Sequence, residues 1–469
     1  MEAKSLKNLT EGNIFKTLIT YSAPIILGDM LQASYSIIDA LWVGRLIGPN
    51  ALAAISSSGP IMFLIVSLVI GIAIATVIMV GQAYGMGDMK FLEKILVNSY
   101  MTVALMCIVI TILSIGFSGS ILKLINTPEI IRADAQKFIV VILSGMIFMF
   151  SFNWFSGVLR GLGDSKTPFL LLIVSIILNI ILAPILITGA GIFPRLGIAG
   201  SALATVISQL ITTVFAFLYL AKKNVLLNVF KWKYQFDFTI IKKMFQIGVP
   251  VSLQLVINAL SAVIIVSFVN KFGPNIIAAY GIGMRVDQFS FLPAMSLGSS
   301  VSAMVAQHIG AEKIDKIPKI MLNAMMISLG FALIFYIPVN LFPTQIAALF
   351  TDHVPVGEAV KTYFRIDSLT YFAFAIMFAI QGVIRGSGDT IPLTVFAFIS
   401  LIIFRAGIAW TLLHTTNLKE AGIWTGMVIS VYIGMIISFW YYKTGKWKEK
   451  ALLKMKKIPM SPAQEAHND

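Results

Sequence analysis

The chain is a succession of long apolar runs separated by short hydrophilic stretches. Runs such as 63–80 and 170–186 approach the ~20 residues that a membrane-crossing helix needs. Setting the runs against their breaks predicts spans near 17–45, 60–84, 95–118, 136–159, 168–189 and 198–220. Six more follow near 244–269, 280–310, 319–341, 361–384, 391–413 and 421–443. The expected fold is an all-α integral membrane protein with twelve transmembrane helices. An even number of spans puts both termini on one side of the membrane.

The pattern repeats. Gly48-Pro49-Asn50 recurs as Gly273-Pro274-Asn275, Gln82 and Gly85 as Gln307 and Gly310, and Gly197-Ile198 as Gly422-Ile423. The longest match sets Gly157-Val158-Leu159-Arg160-Gly161-Leu162-Gly163-Asp164 against Gly382-Val383-Ile384-Arg385-Gly386-Ser387-Gly388-Asp389. All four anchors share one offset of 225 residues, which marks a duplicated six-helix unit. Because span one maps onto span seven, and both run in the same direction, the two lobes are parallel repeats related by an axis along the membrane normal. Two such lobes around a central cavity are able to rock in alternating access. The expected divisions are an N-terminal lobe over 1–220, a basic cytoplasmic linker over 221–243, a C-terminal lobe over 244–443 and a cytoplasmic tail over 444–469.

Composition agrees with a lipid solvent. Charged residues make up 12% of the 469 positions and mean hydropathy is +0.89, whereas soluble domains carry roughly 25% charged residues. The net charge of +14 lies in the breaks, at Lys222, Lys223, Lys231, Lys233, Lys242 and Lys243 and in the tail. That placement reads as the positive-inside signal rather than as a nucleic-acid footprint. With the N-terminus inside, cytoplasmic breaks hold 24 Lys and Arg and the opposite breaks hold 8, so both termini are expected in the cytoplasm. The polar stretch 1–13 shows no cleavable signal, and the first span is expected to direct insertion. The one cysteine, Cys107, permits no intrachain disulfide.

The first span carries Asp29, Gln32, Tyr35, Ser36 and Asp39. At ~100° per residue these five share an arc about 120° wide. A charged side chain on the lipid face is costly, so the stripe is expected to face the bundle or a watered cavity. A carboxylate held there can exchange a proton or ligate Na⁺, and either couples a cation gradient to a conformational change; a purely structural acid satisfied by Gln32 or Tyr35 is the other reading. The seventh span offers Gln254, Asn258 and Ser261 without an acid, and Asp39 maps onto Ile264. Coupling is therefore expected in the N-terminal lobe. Span five adds Asn179 and the kinking Pro184. Arg285, Asp287 and Gln288 on span eight, Arg365 and Asp367 on span ten and Arg405 on span eleven read as a mutually neutralising cluster in the C-terminal lobe, with substrate binding or gating as the alternative.

These residues resemble the multidrug and toxic compound extrusion (MATE) family, and within it the DinF-like branch. The resemblance is carried by Pro24, Gln32, Tyr35 and Asp39, by the two Gly-x-x-Arg-Gly-x-Gly-Asp segments, by Gly81-Gln82 with Ala306-Gln307, and by Asn179 with Pro184. It spans about 13–442 and implies a multi-pass protein of the prokaryotic plasma (inner) membrane. It also implies export of hydrophobic, often cationic, drugs in exchange for H⁺ or Na⁺, with Asp39 as the coupling acid and Gln32, Tyr35 and Asn179 around it. The branch often has a second acid on span five, where this chain has Ala183. Losing that charge weakens a Na⁺ site more than a protonation site, so H⁺ is the favoured ion. Asp29, ~15 Å along the helix from Asp39, and Ser36 are accessory candidates. The acids that NorM-like members use on spans seven and ten are absent.

No GxxxxGK[ST] loop is present, and His308, His353, His414 and His467 have no ligand spacing. Neither a catalytic residue, a metal nor a bound cofactor is expected. Lipid and small hydrophobic or cationic drugs are the expected partners, for a monomer. The rival within the superfamily is a flippase for lipid-linked oligosaccharides, which needs a cationic cavity that Arg285 and Arg405 would furnish only in part and the acids of span one would oppose.

Overall fold

The computed structural model describes residues 8–191, 193–223 and 235–450. Part of the expected linker (224–234) and most of the expected tail (451–469) lie outside the described residues. The described chain is helix and turn throughout: α1 (Ile14–Leu46), α2 (Pro49–Gly85), α3 (Met89–Leu124), α4 (Glu129–Ser144), α5 (Met146–Gly161), α6 (Lys166–Thr188), α7 (Ile198–Lys223) and α8 (Phe238–Val269). Then come α9 (Pro274–Gly310), α10 (Ile317–Leu341), the short α11 (Pro343–Ala348), α12 (Val354–Asp367), α13 (Thr370–Gly386), α14 (Ile391–Ala397), α15 (Arg405–Thr415) and α16 (Glu420–Thr444). A wider π-helical stretch, Phe398–Phe404, joins α14 to α15.

Ten of these segments are long and apolar enough to cross a membrane, and twelve result if α4–α5 and α12–α13 each form one bent span. The two bends, of 48° and 42°, fall at equivalent points of the repeat: Gly145 separates α4 from α5, and Thr370, 225 residues on, opens α13. Gly145 is pressed against Val206, where an added Cβ would lie 2.3 Å from the side chain. Several helices outrun their apolar runs. Helix α2 begins at Pro49, eleven residues before the expected span, because proline is pre-set for the first helical turn and loses no hydrogen bond there.

The repeated motifs prove to be helix-to-helix turns. In both Gly-Pro-Asn segments the glycine takes a positive φ, +117° at Gly48 and +84° at Gly273, and the proline starts the next helix. In both Gly-x-x-Arg-Gly-x-Gly-Asp segments the third glycine takes φ near +88°, as at Gly163. The amide of the following Asp164 then reaches back to the Leu159 carbonyl at 2.8 Å, a left-handed helix stop that glycine adopts without strain. Asp164 next accepts from the amides of Lys166 and Thr167 at 3.1 and 3.0 Å, starting α6.

The chain divides into two compact units. Unit 1 comprises Ile19–Val77 and Glu93–Leu260. Within it α6 and α7 lie close together, Gly200 meeting the Leu186 carbonyl with no room for a Cβ. Trp154 is fully buried and donates to Ser99 Oγ at 2.8 Å. Exposed Leu105, Ile108, Val109 and Ile112 fall on one face of α3, within an arc of about 100°, the face such a helix turns to lipid.

Unit 2 comprises Asn8–Leu18, Ile78–Leu92 and the chain from Ser261. Helix α9 is its spine, with 78% of its most apolar stretch buried against at most 56% for any other long span assigned to this unit. It packs on α13 through small residues: added Cβ atoms at Gly382 and Gly386 would lie 2.5 Å from the Gly298 and Ser302 carbonyls. In the π-helical stretch the Leu401 carbonyl accepts from Ser261 Oγ at 3.0 Å, a carbonyl that the wider turn leaves accessible.

Candidate functional site

Three helices of unit 1 assemble the polar groups anticipated on span one. Asp39 on α1 accepts from Ser201 Oγ on α7 at 3.3 Å. One turn along α7, Thr205 Oγ1 lies within hydrogen-bond distance of the Ser201 carbonyl, at 3.3 Å. The same oxygen accepts from Asn179 Nδ2 on α6 at 3.0 Å and shares a hydrogen bond with Tyr35 Oη on α1 at 3.4 Å, in which either hydroxyl can donate. Asp39, Ser201, Thr205, Tyr35 and Asn179 thus form one connected series.

Of the expected site residues, Asp39, Tyr35 and Asn179 come together. Gln32 is exposed, yet it lines a small cavity with Tyr35 and Asn179. Ser36 is exposed and turns its hydroxyl to the Gln32 carbonyl at 3.1 Å. Asp29 is half-buried. Ala183, at the position where the resembled branch often carries a second acid, is fully buried. Two members, Ser201 and Thr205, were not anticipated. The signal was present: Ser201, Thr205, Ser208 and Thr212 recur at spacings of four, three and four, which is one face of a helix.

In unit 2 the polar cluster takes a form different from the expected one. Asp287 on α9 accepts from the hydroxyls of Tyr363 and Tyr371, and the Tyr363 hydroxyl also lies 3.4 Å from Asp367 Oδ2. Arg405 donates through Nε to Ser430 Oγ at 3.0 Å, and no ion pair joins Arg405 to either acid among the described residues. Arg285 and Arg365 are exposed and lie outside the cluster. Each stands two residues from an inward acid, hence about 200° around the helix from it. Tyrosine donors thus stand where Arg285 and Arg365 were expected, packed with Tyr280 and Trp424 in stacked and edge contacts 4.9–6.1 Å between ring centres, while the Arg405 charge still acts on Asp367. Asp287→Ala is expected to lower stability by about 1–3 kcal/mol, because it strands the buried Tyr371 hydroxyl, whereas Tyr363 keeps its contact with Asp367. Tyr371→Phe removes one donor and should cost less than half as much. Thermal unfolding of the two variants in the same detergent checks the order.

The MatE family profile matches residues 24–185 and 250–411, once in each repeat. The probable multidrug resistance protein YoeA of Bacillus subtilis is 31% identical over 446 residues, covering 94% of this chain and 96% of YoeA. The probable multidrug resistance protein YpnP of the same organism is 30% identical over 456 residues, covering 95% and 98%. A solved structure of a multidrug resistance MATE family transporter of the MOP superfamily, described as outward-facing, superposes with a TM-score of 0.88 at 22% identity, covering 96% of this chain and all of that one. At that identity the likeness is one of fold.

Proposed function

The chain belongs to the MatE family, and from that premise we propose that this multi-pass membrane transporter is a secondary active antiporter, exporting hydrophobic or cationic drugs in exchange for a cation. Asp39 is the coupling acid and H⁺ the favoured ion. The carrying observation is the Asp39 carboxylate on a membrane-spanning helix, joined through Ser201, Thr205 and Asn179 to two further helices of the same unit. Binding or loss of a cation at Asp39 alters a hydrogen bond to α7, so the charge state of one side chain bears on how three helices pack. Alternating access between the repeats is the motion that such a change would bias, with both termini in the cytoplasm.

Two features favour H⁺ over Na⁺. The carboxylate has neutral hydroxyls and amides around it, and Ala183 brings no second negative charge. A flippase for lipid-linked oligosaccharides fits less well, because Arg285 is turned outward and Arg405 is engaged with Ser430, while Asp39 would repel a diphosphate.

Dye efflux from proteoliposomes, driven in turn by a pH gradient and a Na⁺ gradient, tests the proposal. The pH gradient alone is expected to drive export of a fluorescent cationic dye. Export under Na⁺ alone would change the ion, and export under neither would overturn antiport.

A further inference from the structure

Beside the Asp39 series lies a cavity of about 10 Å³ among α1, α6 and α7, lined by Gln32, Tyr35, Ser175, Asn179, Ser208 and Gln209, with Thr205 beside them. Three oxygens on its walls are buried without a hydrogen-bond partner: Asn179 Oδ1, Ser208 Oγ and Gln209 Oε1. Asn179 is 3% exposed and Ser208 1%. Asn179 donates through Nδ2 to Thr205 Oγ1, which leaves its Oδ1 as the group without a partner. Three partnerless oxygens on one small cavity inside a membrane-spanning bundle would be a costly coincidence, at about 1–3 kcal/mol for each unsatisfied group.

We propose that this cavity binds one ordered water, which donates to Asn179 Oδ1 and Gln209 Oε1 and accepts from Ser208 Oγ. The stoichiometry fits. A water has two protons for the two amide carbonyls and a lone pair for the hydroxyl, and buried waters typically make about three hydrogen bonds. The space fits as well, since about 10–15 Å³ holds one water. The wall argues against a metal cation: its oxygens belong to neutral amides and hydroxyls, Asp39 is not among the lining groups, and a charge buried without a counter-charge is strongly disfavoured.

The water extends the Asp39 series to Ser208, on the α7 face that carries Ser201 and Thr205, and to Gln209. It anchors the Asn179 amide from the side opposite Thr205, so Ser208 and Gln209 act as positioning residues for the coupling acid. That role rests on the proposed coupling at Asp39; the presence of the water does not.

The experiment is a density map of the full-length protein in lipid, at a resolution that shows other ordered waters, recorded in Na⁺ buffer and in Na⁺-free buffer. The expected result is a peak within hydrogen-bond distance of all three oxygens in both buffers, lost in Gln209→Leu and weakened in the milder Ser208→Ala. No peak, or a peak only with Na⁺, overturns the proposal. In proteoliposomes, Gln209→Leu is expected to slow pH-driven efflux on the order of fivefold, the equivalent of one ordinary hydrogen bond. The pH profile of efflux should be displaced, and the pH dependence of dye binding displaced with it. A variant that lacks the peak yet matches the wild-type rate and profile overturns the positioning role. A peak that persists while Asp39→Asn transports normally leaves the water standing and removes the coupling role of Asp39.

Discussion

Asp39→Asn is expected to reduce gradient-driven dye efflux up to about 150-fold, the upper end of the range that a coupling free energy of about 1–3 kcal/mol supports. The substitution is nearly isosteric, and its amide oxygen can still accept from Ser201 Oγ, which lies 3.3 Å from Asp39 in the wild type. The packing of α1 against α7 should therefore survive while the exchangeable charge is gone. Linkage makes the experiment sharper. If a cation at Asp39 changes the affinity for drug, then drug changes the affinity for the cation by the same factor. Equilibrium dye binding to wild type should accordingly depend on pH, and binding to Asp39→Asn should be flat across the same range. Wild-type-like efflux by Asp39→Asn, or retained pH dependence of dye binding, would move the coupling elsewhere. The Asp287 and Asp367 cluster would be the next place to look.

Much of the architecture was legible because the membrane imposes a simple rule: apolar runs of sufficient length become helices. All twelve expected spans coincide with helical segments or with bent pairs of them. Helix ends were less legible, since a helix continues past the lipid boundary wherever a residue such as Pro49 suits its first turn. The bends at Gly145 and before Thr370 were hidden because hydropathy does not register a change of direction. Only the glycine hinted at the first, and nothing apolar or polar marks the second. The repeated Gly-Pro-Asn and Gly-x-x-Arg-Gly-x-Gly-Asp segments were legible as repeats, but their physical role became clear only from the backbone, where glycine stops one helix and proline or aspartate starts the next.

The site was half legible for a related reason. Charged residues in apolar runs stand out, and Asp39, Asp287 and Asp367 are legible on that ground. Their partners are serine, threonine and tyrosine, which a hydropathy pattern passes over as ordinary membrane residues. Residue type suggested that Arg285 and Arg365 would join the acids beside them, whereas helical phase sends residues two apart in nearly opposite directions. Applied to α7, the same angular test that isolated the stripe on α1 would have found Ser201, Thr205 and Ser208.

The second large effect is expected at Gly310. Within unit 2 the last turn of α2 crosses the last turn of α9 at two repeat-related glycines. An added Cβ at Gly310 would stand 2.0 Å from the Gln82 carbonyl oxygen and 3.0 Å from the Gly85 Cα; one at Gly85 would stand 2.2 Å from the Gln307 carbonyl oxygen. Those obstacles are backbone, so no change of rotamer relieves them and the helices must separate. Gly310→Ala should therefore cost at least the upper part of the overpacking range of about 1–3 kcal/mol. Gly85→Ala should cost a similar amount. The double variant should cost clearly less than their sum, because one separation serves both methyl groups. Gly330→Ala is the control: it lies inside α10 with nothing within 4 Å of the added Cβ, so the better helix former should raise stability by about 0.5–1 kcal/mol. The crossing also holds the start of the chain, since the buried Leu9 amide donates to Gln307 Oε1 at 2.9 Å and Gln82 Nε2 donates to the Gly386 carbonyl at 3.0 Å. Thermal unfolding in detergent reads the stability order, and hydrogen exchange at the Leu9 amide reads where the damage falls. Faster exchange at Leu9 in Gly310→Ala, with α16 still protected, would show that the strain stays at the crossing. A variant that melts and exchanges like wild type would mean that the two helices do not meet there as closely as the glycines require.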